Sequence, residues 1–191
     1  MKQSVKREDI LNAALVLIAE HGFHGAPMAA VAEKAGVGIG TIYRYFETKD
    51  VLINELNEEL EAKIMDFLKK DYPTDKPVRE RFLHFAQSLL RYFISHPLYF
   101  RFIEQYFNSP YGTSKRRDKI MGQYSSEDIV RVLFEDGIAE HAMKGLPVFA
   151  LVSLSCAPLI GVARDHILGL IVLDDNLIQQ ITVACWDAIK R

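Results

Sequence analysis

Residues 35–49 read AGVGIGTIYRYFETK, three glycines at alternate positions followed at once by two tyrosines, an arginine and a phenylalanine. Glycine loosens a backbone whereas packed aromatics fix one, so the stretch reads as a turn feeding a short helix. Upstream, Pro27 can start a short helix through Val31, Ala32 and Ala35 that Gly36 ends. Two short helices joined by a glycine-containing turn match the helix-turn-helix unit, whose second helix enters a DNA major groove. That second helix is expected over about Ile39–Tyr45.

On a 3.6-residue period Ile42 and Phe46 face inward with Ile39 near the boundary, while Thr41, Tyr43, Arg44 and Tyr45 lie on or beside the outward face. Val37, bracketed by Gly36 and Gly38, is expected to pack on Val31 and Ala32. A helical glycine costs about 1 kcal/mol relative to alanine, so Gly40 is read as room for the backbone to approach a phosphate. Threonine and tyrosine hydroxyls can donate to phosphate, and an arginine can pair with guanine for about 1 to 3 kcal/mol of discrimination. Lys49 adds charge beside Thr48, which caps the next helix.

Working outward, apolar residues recur at three and four positions and no sustained alternation occurs, so the chain is expected to be all-α. A first helix is expected to begin after Ser4 and stop at Gly22. A long helix from Thr48 buries Val51, Leu52, Leu56, Leu60, Ile64 and Leu68 and ends at Asp71-Tyr72-Pro73. Further helices are expected at about 78–95, 97–108, 125–143, 147–173 with a kink at Pro158, and 175–190. NSPYGTSKRRDK, at 108–119, is expected to be a loop with a basic run. The domain reading is a helix-turn-helix domain at 1–50, a connecting long helix at 51–73 and a C-terminal domain at 74–191.

Residues 7–52 resemble the DNA-binding domain of the TetR family of bacterial transcriptional regulators, with its A-G-V-S-x-G-T-[IL]-Y-x-Y-F-x-x-K-x-x-L pattern. Ala35, Gly36, Val37, Gly40, Thr41, Ile42, Tyr43, Tyr45, Phe46, Lys49 and Leu52 match. The resemblance implies an all-helical homodimer, usually a repressor, with a three-helix helix-turn-helix domain followed by a helical ligand-binding and dimerisation domain. It implies DNA contacts from Gly38, Ile39, Gly40, Thr41, Tyr43, Arg44, Tyr45 and Lys49. The family usually carries Ser or Thr at the position of Gly38 and again near Ala26 to Met28. With those hydroxyls missing, more weight falls on the third helix, on Lys49, and on Lys2, Lys6 and Arg7.

The same resemblance implies a pocket for a small apolar or aromatic effector, for which Tyr92, His96, Phe102, Tyr106, Met121, Tyr124, Phe134 and Phe149 are the candidate lining residues. Dimerisation through the last two long helices points to Leu151, Leu154, Leu159, Val162, Ile167, Leu177, Ile178, Ile181 and Trp186. A twofold dimer implies a palindromic double-stranded DNA operator.

The formal net charge is -2 over 191 residues, which excludes capture of a polyanion by bulk charge. Within residues 1–50, Lys2, Lys6, Arg7, Lys34, Arg44 and Lys49 are matched by Glu8, Asp9, Glu20, Glu33, Glu47 and Asp50, so nucleic acid must be held by a local patch. Cys156 and Cys185 sit among apolar residues in no metal-ligand spacing, and the histidines are scattered, so neither a metal nor a cofactor is expected. The glycines match neither nucleotide-binding loop pattern, and no nucleophile accompanies Asp165-His166, which argues against an enzyme. No secretory signal opens the chain, and a cytoplasmic location is expected. Gly145–Ala163 runs nineteen residues without charge, close to the ~20 needed to span a bilayer, yet its prolines, glycines and serines favour a helix buried in an interface over a membrane span.

Overall fold

The computed structural model describes residues 2–120 and 129–191, with side chains over 5–115 and 129–191. Ten helices are present among the described residues, which hold no strand beyond an isolated bridge between Met143 and Lys190. They are α1 (Lys2–His21), α2 (Met28–Lys34), α3 (Ile39–Tyr45), α4 (Lys49–Lys69) and α5 (Val78–Ser95). There follow α6 (Pro97–Phe107), α7 (Pro110–Ile120), α8 (Ile129–Ala139), α9 (Val148–Ile167) and α10 (Asp175–Ile189).

The chain forms two compact units, Met1–Lys63 with His96–Gln123, and Ile64–Ser95 with Tyr124–Arg191. The division falls within α4 and groups α6 and α7 with α1, α2 and α3. The physical reason is visible at α6: the Gln105 amide donates to the carbonyls of Ile18 at 2.8 Å and Ala19 at 3.4 Å in the last turn of α1. In that unit Ile10, Ala14 and Ile18 of α1, Val31 of α2, Ile42 and Phe46 around α3, Ile53 of α4 and Phe102 of α6 are buried.

Helix α1 begins at Lys2, so Ser4 lies inside it rather than capping it. It stops at Gly22, whose φ of 72° takes the left-handed conformation that glycine adopts without strain. Thr48 caps α4 as expected, its hydroxyl accepting from the Val51 amide at 3.2 Å.

The expected loop at 108–119 is instead the helix α7. Ser109 caps it, its hydroxyl oxygen accepting from the Gly112 amide at 3.5 Å, and Pro110 occupies the first helical position. Polar composition removed the apolar period that would have announced it. Gly112 is required, because an added Cβ would stand 2.3 Å from the Tyr106 carbonyl.

In the second unit Phe82 is fully buried, with the Phe134 ring perpendicular at 6.2 Å and Trp186 at 5.5 Å. Arg81 and Asp136 pair at 2.7 Å between α5 and α8. Asp174 caps α10 by accepting from the Leu177 amide at 2.8 Å. Pro158 lies inside an uninterrupted α9, and both cysteines are free thiols.

Candidate DNA interface

The turn between α2 and α3 is built by Gly36, whose φ of 65° lets the Val37 amide reach the Ala32 carbonyl at 2.9 Å. Gly38 then takes an extended conformation and opens α3 without a side-chain cap. Ile42 and Phe46 are fully buried and fix the roll of this short helix. That roll turns Ile39, 46% exposed, and Tyr43, 51% exposed, outward one helical turn apart, with Gly40 and Arg44 exposed in the adjacent row. Thr41 and Tyr45 are half-buried at the flanks. The Arg44 guanidinium lies 5.6 Å from the Tyr45 ring centre, a cation–π contact that steadies the arginine while leaving it exposed.

The strip therefore offers an apolar contact for a thymine methyl, a phenol hydroxyl, a guanidinium and a bare backbone at Gly40. A Cβ added at Gly40 or Gly38 meets nothing within 4 Å, and neither has positive φ, so the chain's own packing requires glycine at neither place.

Two cations are directed elsewhere. Lys49 is half-buried, donates to the Phe23 carbonyl, and has its pKa lowered by burial; its first role is to tie α4 to the exit of α1. Arg7, which the sequence suggested as a DNA contact, instead pairs with Glu55 at 2.6 Å and with Glu59, and lies 5.6 Å from the Phe46 ring centre. Its hydrogen bonds to Glu55 and then to Glu59 raise its pKa. The i, i+4 acidic pair on α4 was the signal that could have foretold this. Lys6 is exposed on α1 and Lys34 on α2, whereas the side chain of Lys2 lies outside the described set.

Tyr92, Phe102, Tyr106 and Phe134 are buried in packed aromatic contacts, Phe149 is half-buried and His96 is exposed. Met121 and Tyr124 lie outside the described residues. Tyr92 packs on Phe67 at 5.1 Å and Phe134 on Phe82 in one unit, while Phe102 and Tyr106 stack at 5.9 Å in the other. Two open surface grooves, of about 480 Å³ on α10 and about 270 Å³ beside α1 and α2, involve none of these residues.

Of the expected interface residues, Leu151, Leu159, Ile178 and Trp186 are buried in the chain's own core. Leu154 is 46% exposed, and Val162, Ile167, Leu177 and Ile181 are half-buried. The inward stripe of α9 is Leu151, Ser155, Leu159 and Ala163. Its outward stripe is Leu154, Ala157 and Pro158, with Gly161 half-buried. By length and composition alone α9 is apolar enough to cross a membrane.

A profile described as "Bacterial regulatory proteins, tetR family" matches residues 10–56, and one described as "Tetracyclin repressor-like, C-terminal domain" matches residues 57–191. The solved structure of a TetR-family protein from Vibrio parahaemolyticus is similar at 32% identity with a TM-score of 0.78, covering 97% of this chain and 99% of that one. The HTH-type transcriptional repressor KstR of Rhodococcus jostii (strain RHA1) is 37% identical over 86 residues, 44% of this chain and 40% of the relative. The fatty acid metabolism regulator protein of Bacillus subtilis (strain 168) is 33% identical over 82 residues, 42% of each. The chain spans about half the length, or less, of such curated relatives.

Proposed function

Because the chain belongs to the TetR family, and is thus a DNA-binding transcriptional regulator rather than an enzyme, we propose that it is a cytoplasmic repressor that binds an inverted-repeat operator as a homodimer and is released by a small apolar or aromatic effector. The observation that carries the DNA reading is the outward strip of α3, with Tyr43 and Arg44 presented beside a glycine that internal packing does not demand. Tyr43 and the Gly40 backbone meet phosphate, Arg44 reads a base edge and Ile39 meets a thymine methyl.

The dimer reading is supported by α9, whose outward apolar stripe is left uncovered within the protomer. Burial against the same face of a second copy accounts for that stripe without a membrane, and small residues at 157 and 161 permit close helix approach. Twofold symmetry then sets two copies of α3 against two half-sites about one helical turn apart.

Release follows if the effector binds better to a state in which α4 has shifted, since a ligand moves an equilibrium only by its differential affinity. Reciprocity requires operator DNA to weaken effector binding by the factor by which effector weakens DNA binding. Titrating effector with and without operator tests this, and equal affinities in the two titrations would contradict it.

A further inference from the structure

We infer that Asn57, a fully buried side chain on α4 whose amide has no hydrogen-bond partner, is the polar recognition point for the effector. The effector would meet it with an uncharged group that donates and accepts together, such as an amide or lactam, carried on a flat ring. The inference rests on the effector reading above and names the chemistry of its site.

Asp50, Asn54, Asn57 and Glu61 recur at four, three and four residues and so form one stripe along α4. Three of them are bridged by long side chains from α6 and α7. The Tyr111 hydroxyl donates to Asp50 at 2.5 Å, the Tyr106 hydroxyl to Asn54 at 3.4 Å, and the Lys115 ammonium to Glu61 at 2.5 Å. Asn57 sits in the middle of this polar seam at 0% exposure, and neither its oxygen nor its nitrogen has a partner among the described residues. Buried polar groups are satisfied in folded proteins, so an orphan amide flanked by satisfied neighbours marks a place for a partner from outside the chain.

The neighbours select the class. An amide presents a donor and an acceptor side by side, and its complement is a group with the same pair reversed. Close by, Tyr106 stacks near-parallel on Phe102 at 25° and on Tyr111 at 18°, so a flat body would reach a ring face by taking the place of the half-buried Tyr111. Burial first, and then Glu61 and Glu58, push the Tyr106 hydroxyl up to about 12. An ionised carboxylate is disfavoured there and a neutral amide is not. Entry of a ring requires the side-chain bridges to part, which moves α4 against α6 and α7.

The test uses the full-length, isotope-labelled protein, with benzamide and benzoate at millimolar concentration as probes and the side-chain amide resonance of Asn57 as readout. That resonance is assigned through its loss in Asn57→Leu, with Asn57→Met as the alternative should leucine not be accommodated. Benzamide should shift the Asn57 and Tyr106 signals, benzoate should bind about tenfold more weakly or worse, and the folded apolar variant should lose the response. Equal effects of the two probes, an unchanged response in the variant, or silence at Asn57 beside a bound-water signal would each overturn the inference. Operator binding by the unliganded protein is measured in parallel: its failure removes the regulator reading, whereas silence at Asn57 with DNA binding intact removes only this site.

Discussion

Gly40 concentrates the trade between stability and binding at a single residue. It lies in the first turn of α3 with open space around it and an unstrained φ, so Gly40→Ala is expected to stabilise the folded chain by up to about 1 kcal/mol. The same methyl would obstruct the close approach of backbone to phosphate, so operator affinity should fall while the melting temperature rises. Paired thermal melts and DNA titrations check this, and a variant that is both more stable and equally tight would remove the phosphate role from Gly40. The sequence was most legible at this scale where burial alone decides orientation: Ile42 and Phe46 inward, Tyr43 and Arg44 outward. It was least legible for polar residues whose partners are distant in the chain. Arg7 finds Glu55 and Glu59 forty-eight and fifty-two residues away, and the missing partner of Asn57 leaves no trace in a local pattern.

At the scale of elements, α3 and α5 have the bounds expected from periodicity, because each carries a buried stripe between clear stops. Helix α7 went unseen, being specified by its start at Ser109-Pro110 rather than by an apolar face. Ser109→Ala should therefore cost about 1 kcal/mol, read as a lower denaturant midpoint, since it removes that cap. Helix α9 was legible as a helix but not in its roll: its residues 148–163 carry no charge and so give no polar face by which to choose the roll. The expected interface mixed inward Leu151 and Leu159 with outward Leu154. The two stripes predict opposite phenotypes. Leu151→Ala should lose about 2 to 5 kcal/mol of stability. Leu154→Glu should leave the protomer folded and shift sedimentation equilibrium toward monomer.

For the whole molecule, the net charge of -2 leaves DNA attraction to a local surface, and the pairing of Arg7 and Lys49 within the fold narrows that surface further. The aromatic richness that suggested an effector pocket is distributed over two compact units and largely consumed in packing. Composition reports aromatic content and cannot tell a filled core from a cavity. On the proposed homodimer, Leu154→Glu should also weaken operator binding, and more so at lower protein concentration.

The most direct measurement is binding of the purified protein to DNA from immediately upstream of its coding region, across a salt series, beside the double variant Tyr43→Ala, Arg44→Ala. The account predicts wild-type affinity that falls steeply with salt, and loss of binding in a variant that still melts cooperatively at the wild-type temperature. Specific binding that survives in the folded double variant would contradict the assignment of α3 as the element that reads DNA.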